Sequence, residues 1–259
     1  MTQTPDSVHY PRRVRNELRF RQLTVLRCEN ITPAFRRIVL GGEALAGFSS
    51  GGFDDHTKLF FPSADQPFTP PQVTEEGIIW QGDVRPASRD YTPLFDQQRQ
   101  ELAFDFFIHE GGVACQWAQQ AAPGDTLVIG GPRGSLIVPT DYRWQLYVCD
   151  ESGLPALRRR LEMIAAAGDR PAITVLLQID ELATLAYLDG VLEMATIECL
   201  PAGDSDALAR RLGQVAIPEQ DYFVWITGEG KLVKRLSAPL EEQLDPQLLR
   251  AAAYWHAKP

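Results

Sequence analysis

The sequence predicts two domains of different fold class: an N-terminal antiparallel β-barrel over residues 1–140 and a C-terminal parallel-sheet α/β domain over residues 141–259. Three observations predict this division. The chain has 259 residues, enough for two domains of ordinary size. Its first half contains short strands separated by Gly and Pro clusters, and its second half alternates apolar strands with helical patterns. The boundary lies near residues 138–143, where Pro139 and polar residues interrupt both patterns.

The first half contains short segments rich in Val, Leu, Ile, Phe or Thr, with turn residues between them. The predicted strands are 23–28, 36–40, 58–61, 78–80, 89–92, 101–108 and 126–129. One helix, over about residues 113–121, interrupts the series and follows Gly111-Gly112. Many short strands with regular turn signals favour a closed antiparallel barrel or a sandwich.

The second half alternates buried strands with helices. The predicted strands are 145–149, 173–179, 197–200 and 222–227, and the predicted helices are 154–166, 181–187, 207–212 and 230–236. Strands and helices that alternate at this spacing are typical of a parallel sheet with crossover helices. The last residues, including Tyr254 and Trp255, are expected to form a tail.

The overall charge excludes several classes of partner. Lys and Arg number 25 against 34 Asp and Glu, a formal net charge of -9. General binders of nucleic acid or of anionic membranes need a basic face, so neither partner is predicted. No uncharged apolar run approaches the roughly 18 residues of a membrane span, and the first ten residues contain no secretion signal. We therefore expect a cytoplasmic protein, and we expect a monomer.

Positive charge is concentrated in one segment. Residues 12–27 contain six arginines and a single acidic residue, Glu17. This segment is either the solvated basic edge of a first strand or a rim that steers an anionic ligand towards a cleft.

The cysteines and histidines predict no metal site. The four cysteines are far apart and lack the paired spacing of zinc or iron–sulfur ligands, and no two of the four histidines have helical ligand spacing. The cysteines are therefore expected to be reduced, partly buried thiols.

The first motif that carries chemistry is Arg89-Asp90-Tyr91-Thr92-Pro93. On an extended segment Arg89 and Tyr91 lie on one face and the Thr92 hydroxyl on the other. This arrangement suits a flavin nucleotide, because the cation meets the pyrophosphate, the ring packs along the cofactor and the hydroxyl bonds the flavin edge. The alternative is a surface strand with a chance arginine.

The second motif runs from Phe107 to Trp117, where a strand ends in His109-Glu110-Gly111-Gly112 and a helix begins. The two glycines allow close approach to the backbone. The first amides of the helix, at residues 113–115, have no partner within the helix and form a ready site for a diphosphate. The alternative is a plain strand–turn–helix junction.

The two motifs in this order, followed by Gly131-Pro132-Arg133-Gly134-Ser135, resemble those of the siderophore-interacting proteins. These are FAD-dependent ferric-siderophore reductases of the ferredoxin–NADP reductase-like superfamily. The resemblance extends to residues 54–59 and 150–156, and the second half is similar to the subgroup that uses NAD(P)H directly. It implies electron transfer from NADPH (or NADH) through FAD to the Fe(III) of an anionic siderophore. Such transfer needs no catalytic acid or base, so none is assigned.

The resemblance also implies roles for individual residues. Those assigned to FAD are Arg89, Tyr91, Thr92, Phe107, Ile108, His109, Gly112, Val113, Ala114, Cys115, Trp117, Asp150, Glu151, Ser152 and Trp255. Asp150, Glu151 and Ser152 follow the first parallel strand and are expected near the adenosine half of FAD or the nicotinamide cleft. Trp255, with Tyr254, either caps the cofactor or is a packing anchor.

The nicotinamide site has a weaker signal. No Gly-x-Gly-x-x-Gly follows the first strand of the second domain. Gly228, Glu229, Gly230 and Lys231 follow the last predicted strand and open a helix. They either receive a dinucleotide phosphate or form a mere tight turn.

Lys58 and Arg133 are isolated basic residues in apolar or Gly-rich segments. The resemblance implies that they receive the ferric siderophore, with a strongly anionic catecholate type favoured. The alternative is that both are exposed rim charges.

Two other functions remain open: a general NAD(P)H:flavin or quinone reductase, and a non-catalytic protein that binds ferric siderophores.

Overall fold

The computed structural model describes residues 9–63, 68–82 and 85–257, and these divide into two units. Arg13–Leu136 forms the N-terminal unit, and the rest of the described chain forms the C-terminal unit. Residues 1–8, most of the segment in which no secretion signal was expected, lie outside the described residues.

The N-terminal unit consists of short strands and one α-helix. Its elements are β1 (Arg12–Arg15), β2 (Phe20–Asn30), β3 (Phe35–Gly41), β4 (Thr57–Phe61), β5 (Gln72–Thr74), β6 (Gly77–Ile79), β7 (Ala87–Tyr91), β8 (Leu94–Asp96), β9 (Glu101–Phe107), α1 (Val113–Gln120), β10 (Thr126–Gly130) and β11 (Gly134–Ile137). Seven strands form one antiparallel sheet in the order β7-β4-β10-β2-β3-β9-β8, and β1 pairs with β11 and β5 with β6. β1, β5, β8 and β11 were not predicted, since each is only three or four residues long.

The connection between the two edge strands requires this sheet to curl. β7 and β8 lie at opposite edges, yet only Thr92 and Pro93 separate them in the sequence. In a flat sheet of seven strands the edges would be about 29 Å apart. Three steps along the chain from Tyr91 to Leu94 reach about 11 Å at most. The predicted antiparallel barrel is therefore confirmed, as a curled half-barrel.

The inner face of the half-barrel forms a hydrophobic core. Along β2, Arg21, Leu23 and Val25 are buried while the residues between them are exposed. Leu59 and Phe61 of β4 belong to the same core, to which α1 contributes Ala114 and Ala118. Burial of each large apolar side chain contributes about 1.5–3 kcal/mol, so this face holds the sheet in its curled form.

The C-terminal unit is a parallel sheet with helices, as predicted. Its elements are β12 (Trp144–Asp150), α2 (Leu154–Ala167), β13 (Ala172–Gln178), β14 (Thr196–Leu200), α3 (Ser205–Leu212), β15 (Tyr222–Glu229), α4 (Gly230–Glu241) and β16 (Leu249–Trp255). The strand order is β14-β13-β12-β15-β16, and every pair is parallel. The helix predicted over 181–187 is a 3-10 helix, Leu182–Leu188.

The expected C-terminal tail contains a strand that was not predicted, because residues 249–255 form the edge strand β16 beside β15. The segment has three consecutive alanines, which have low strand propensity, so no strand was predicted there. Pairing with β15 overrides that propensity. Tyr254 and Trp255 are thus the last residues of a strand.

Arg160 of α2 is fully buried in the C-terminal unit. Its guanidinium donates to the Tyr147 hydroxyl at 2.8 Å and to the side-chain oxygen of Gln145 at 3.0 Å. It also donates to the carbonyl oxygens of Val138, at 2.9 Å, and Pro139, at 2.6 Å. These bonds tie α2 to the start of the C-terminal unit, and they satisfy a charge that would be costly to bury alone.

No helix in the described residues is long and apolar enough to cross a membrane. The same residues contain no group of three or more His, Cys, Asp or Glu side chains placed to hold a metal ion.

Replacing Arg160 with Met is expected to lower the free energy of unfolding by about 3 kcal/mol, because buried acceptors lose their donor. Denaturant unfolding of both proteins measures the difference. Arg170→Met is the control, since the exposed Arg170 donates to the adjacent Asp169 carbonyl and should cost under about 0.5 kcal/mol. Equal effects for the two variants would contradict a structural role for the buried network.

Candidate functional site

The strand register places Arg89 and Tyr91 on the inner face of the half-barrel. Arg89 pairs with Leu59 and Tyr91 with Thr57, and directly paired residues share a face. The Tyr91 ring lies 4.4 Å from the Phe106 ring, centroid to centroid, and burial raises the pKa of the Tyr91 hydroxyl. That hydroxyl is therefore protonated at neutral pH. The Arg89 side chain is exposed and donates to the Ser88 carbonyl at 2.7 Å.

Thr92 lies outside the strand in which it was predicted, because β7 ends at Tyr91. It is nevertheless buried, with 6% of its surface exposed, in the short connection to β8. The alternation of side chains along β7 therefore does not extend to Thr92.

The start of α1 is open. Gly111 and Gly112 have positive φ, 76° and 83°, a conformation that favours glycine. No side chain caps the helix, so the amides of its first turn have no helical acceptor. A Cβ atom at Gly111 would meet nothing within 4 Å, and one at Gly112 would meet the His109 ring at 3.5 Å. The geometry leaves room for an anion at these amides.

Around this helix start, the predicted residues Phe107, Ile108 and Cys115 are buried or half-buried, and His109 is exposed. The Cys115 thiol donates to the Phe107 carbonyl at 3.2 Å, and burial raises the pKa of the thiol. The Ile108 amide donates to the Ala34 carbonyl at 2.8 Å. His109 is exposed, with Nδ1 3.0 Å from the Glu110 carbonyl oxygen. These contacts fix the backbone that leads into α1.

Trp117 joins the two motifs through the core. Its ring packs against Phe61 and Phe106, with centroids 5.7 and 5.9 Å away, and Phe106 in turn contacts Tyr91. The ring expected beneath the cofactor is thus part of the wall between the two motifs. The structure brings the Tyr91 strand and the α1 helix together through Phe106.

Among the described residues, the buried polar atoms without a hydrogen-bond partner include the Thr57 hydroxyl oxygen and the Nε and Nη1 atoms of Arg21, all on the inner face. Buried polar groups almost always have a partner, so both groups are candidate contacts for a ligand. Sequence reasoning missed both. The signal available was the alternation of Arg21 with Leu23 and Val25, which places an arginine at a core position.

The basic segment 12–27 does not form one continuous rim. Arg12, Arg13 and Arg15 are exposed, Arg19 pairs with Glu17 at 2.8 Å, and Arg21 is buried. Arg27, at the end of the segment, pairs with Glu29 at 2.6 Å and with Glu101 at 2.8 Å. The segment therefore separates into an exposed edge, two arginines in salt bridges and a buried cation.

Lys58 and Arg133 lie at the same end of the half-barrel. Lys58 pairs with Gly130, the last residue of β10, and the exposed Arg133 follows three residues later. Lys58 Nζ lies 2.9 and 3.1 Å from the two Asp90 carboxylate oxygens, and both side chains are nearly half exposed. Exposed ion pairs contribute about 0–1 kcal/mol, so Asp90 does not prevent Lys58 from meeting another anion.

In the C-terminal unit, Asp150 lies at the carboxyl end of β12, the edge where parallel sheets bind ligands. Its carboxylate accepts hydrogen bonds from Trp255 Nε1 at 2.7 Å and from the Ser152 amide at 2.9 Å. Burial raises the pKa of Asp150, and it also raises the pKa of the neighbouring Glu151. A Cβ atom at Gly228 would come within 2.9 Å of the Asp150 carboxylate, so glycine is needed there.

The start of α4 is closed by the chain itself. The Glu229 carboxylate accepts hydrogen bonds from the amides of Lys231, at 2.7 Å, and Leu232, at 2.9 Å, which lower the pKa of Glu229. A Cβ atom at Gly230 would collide with the His256 ring. Two amides at the turn that was expected to receive a dinucleotide phosphate thus already donate to a carboxylate.

A curled antiparallel half-barrel followed by a parallel sheet with helices is the fold of the ferredoxin–NADP reductase-like proteins. The chain belongs to the siderophore-interacting protein family. The model of the siderophore-interacting FAD-binding domain matches residues 24–136, and the siderophore-interacting protein model matches residues 142–258.

Named relatives span the whole chain. It is 61% identical over 262 residues to an NADPH-dependent ferric-chelate reductase of Escherichia coli, with all of both chains covered. It is 28% identical over 247 residues to the ferric vibriobactin reductase ViuB of Vibrio cholerae. That alignment covers 91% of this chain and 89% of ViuB. A siderophore utilization protein from T. fusca matches with a TM-score of 0.84 and 31% identity, covering 95% of this chain and 96% of that one.

The residues present fit the FAD that the family implies. The N-terminal unit provides an uncapped helix start, an exposed arginine and a buried hydroxyl without a partner. These donors suit a diphosphate and the carbonyl edge of a flavin ring.

Replacing Asp150 with Asn is expected to change how stability depends on pH. Because burial raises the folded pKa of Asp150 above the ordinary value of about 3.9, the folded state binds more protons in the window above that value. The wild type should therefore gain stability relative to Asp150→Asn as the pH falls through this window. Denaturant unfolding of both proteins between pH 4 and pH 8 measures the difference.

A stability difference between wild type and Asp150→Asn that does not vary with pH would contradict a raised pKa. Asp206→Asn is the control. Its pKa is lowered by the Arg235 pair, so any effect of that variant has the opposite sign.

Proposed function

We propose that the protein is a ferric-siderophore reductase that uses NADPH and FAD to release Fe(II) from an anionic Fe(III)-siderophore. Membership of the siderophore-interacting family and 61% identity to an NADPH-dependent ferric-chelate reductase support this function. The observation that carries it is the open start of α1, beside a strand that presents Arg89 and Tyr91. Fe(III) is the substrate, and no resident metal is proposed.

The N-terminal unit would hold the cofactor. The Arg89 guanidinium and the first amides of α1 would bind the diphosphate, with His109 at the adjoining ribityl chain. Tyr91 would line the flavin ring, and the Thr92 hydroxyl would bond its edge. FAD accepts a hydride as an electron pair and passes on single electrons, which a nicotinamide does not do directly. The side chains bind and orient; none is needed as an acid or base.

The C-terminal unit would bind the nicotinamide nucleotide at the carboxyl edge of its sheet. Asp150, Glu151 and Ser152 lie there with Trp255 and with the turn 228–231. Because Glu229 occupies the first amides of α4, the proposed contacts of this turn are those of Gly228, Gly230 and the Lys231 side chain. The Asp150 bond to Trp255 would hold the indole in place at this edge.

Lys58 and Arg133 would receive the siderophore. A ferric tris-catecholate carries a high negative charge, so two exposed cations at one end of the half-barrel favour a catecholate over a neutral chelate. Reduction releases the iron because hard oxygen donors hold Fe(III) much better than Fe(II).

We further propose a cytoplasmic monomer. The four cysteines are free thiols in the structure, as is usual in a reducing compartment. Size-exclusion chromatography with light scattering tests the monomer, and a mass twice that of the chain would contradict it.

The test of the function is spectroscopic. Purified protein should show a flavin spectrum that bleaches with NADPH under anaerobic conditions, recovers on addition of a ferric tris-catecholate and yields Fe(II) to a chromogenic trap. Flavin that bleaches but reduces no iron would support a general flavin or quinone reductase instead. Protein that binds no FAD but binds the ferric chelate would support a siderophore-binding protein.

Replacing Arg89 with Met is expected to raise the Kd of FAD about tenfold to a hundredfold, because one charge-assisted bond to the diphosphate is lost. Quenching of FAD fluorescence measures the affinity. Stability should change by less than about 0.5 kcal/mol, since the Arg89 side chain is exposed. Arg99→Met is the matched control, another exposed arginine, whose nearest carboxylate oxygen is 3.9 Å away. An unchanged Kd in Arg89→Met would refute the assignment.

Substitutions at the Lys58–Asp90 pair should have opposite effects. Lys58→Ala is expected to lower kcat/KM for a ferric tris-catecholate about tenfold, or ~1.4 kcal/mol. Asp90→Ala is expected to raise it by up to about fivefold, because Lys58 loses a competing carboxylate. Steady-state kinetics at two salt concentrations, with a neutral electron acceptor as reference, measures both. Effects of the same sign in the two variants would show that the pair is only structural.

A further inference from the structure

Arg21 occupies a core position in β2. Alternate residues of this strand, Arg21, Leu23 and Val25, face the inside of the half-barrel and are 4%, 1% and 1% exposed. A charged side chain in such a row is rare unless it is paired. Arg21 belongs to the basic segment 12–27, and its burial distinguishes it from the exposed arginines of that segment.

The Arg21 guanidinium lacks the partners that a buried cation requires. In the part of the chain that the structure describes, its Nε and Nη1 atoms are buried and have no hydrogen-bond partner. It lies over the Phe48 ring, 5.5 Å from the centroid, a contact that contributes about 0.5–2 kcal/mol. Burying a charge costs several kcal/mol, so this contact does not offset the burial. Burial, followed by the Arg19 charge, lowers the pKa of Arg21.

The strand register relates Arg21 to the proposed flavin residues. Arg21, Ile129, Leu59 and Arg89 form one row across four neighbouring strands, on the inner face. The next inner row towards the end of the half-barrel contains Thr57 opposite Tyr91. β10 alone separates β2 from β4, so these strands are about 10 Å apart. The two groups without partners, Arg21 and Thr57, therefore lie on the surface that carries Arg89 and Tyr91.

We propose that Arg21 is a further flavin-binding residue, whose guanidinium donates, together with the Thr57 hydroxyl, to the pyrimidine edge of the flavin ring and favours the reduced cofactor. This inference rests on the flavin site proposed above. A hydride brings two electrons and one proton from NADPH, so reduction of FAD yields NADP+ and leaves one negative charge on the flavin. A buried guanidinium that forms no salt bridge within the described residues is suited to stabilise that charge, because the low dielectric strengthens the attraction.

A purely structural role for Arg21 makes a different prediction. If the cation served to support Phe48, its removal would destabilise the protein whether or not FAD is bound. If it serves the flavin, the FAD-free protein carries the cost of a buried, unsatisfied charge, and removal relieves that cost. The stability of the FAD-free protein therefore separates the two roles.

The experiment compares Arg21→Met with Arg19→Met, FAD-free and FAD-loaded. Arg19 is two residues away, half exposed and paired with Glu17, so its removal takes the same charge from the same segment without touching the core. Three quantities are measured: the Kd of FAD, the midpoint potential by equilibration with a reference dye, and the unfolding temperature of the FAD-free protein.

Arg21→Met is expected to raise the Kd of FAD at least tenfold. Reduced FAD should lose about tenfold more affinity than oxidised FAD, which lowers the midpoint potential by about 30 mV for a two-electron couple. The FAD-free variant should be at least as stable as the wild type, and Arg19→Met should resemble the wild type in all three measurements. Arg21→Lys, which keeps a charge but loses the planar donor fork, should show an intermediate potential.

An unchanged Kd and an unchanged potential in Arg21→Met would overturn the proposal, as would a loss of stability in the FAD-free protein with normal flavin properties. If Arg21→Met does not fold, Arg21→Lys decides by its potential alone, and a wild-type value there would also overturn the proposal. Failure of the wild type to bind FAD is a separate outcome, which refutes the flavin site as a whole.

Discussion

The short connection between β7 and β8 is the constraint on which the N-terminal unit depends. Thr92 and Pro93 join strands at opposite edges of a seven-stranded sheet, so the sheet has to curl. The curled sheet has an inner face, and the apolar side chains on that face form the core. The last residue before the connection, Tyr91, is held at the end of that core beside Phe106. Thr92 and Pro93, which require the sheet to curl, thus also place β7, the proposed flavin strand, at the end of the core.

Much of this fold was predictable from the sequence, because its main strands and helices have strong periodic patterns. The class of both domains and the principal strands follow from them. Four strands of three or four residues gave too few positions for a pattern, and the alanines of β16 gave no strand signal. The contacts of Trp117 with Phe61 and Phe106 were not predicted, since sequence does not tell which side of a short helix faces the sheet.

Features of the candidate site that depend on backbone conformation were predictable from the sequence. Features that depend on the burial of side chains were less predictable. The two glycines before α1 predicted an open helix start, and their positive φ angles explain that requirement. Arg21 and Thr57 were missed because burial and partners are properties of the folded sheet. Arg160 and Arg21 illustrate the difference: both are buried arginines, but Arg160 donates to several oxygens, while two nitrogens of Arg21 donate to none in the described structure.

Helices α1 and α4 both begin beside glycine, but they differ in the side-chain cap at the first turn. Glu229 closes α4 with a carboxylate that the chain carries permanently, whereas the start of α1 has no side-chain cap. The first turn of α1 therefore presents amide donors to an anion, whereas two amides of α4 already donate to Glu229. In the proposed function, the C-terminal unit would accordingly bind its nucleotide through contacts other than those two amides.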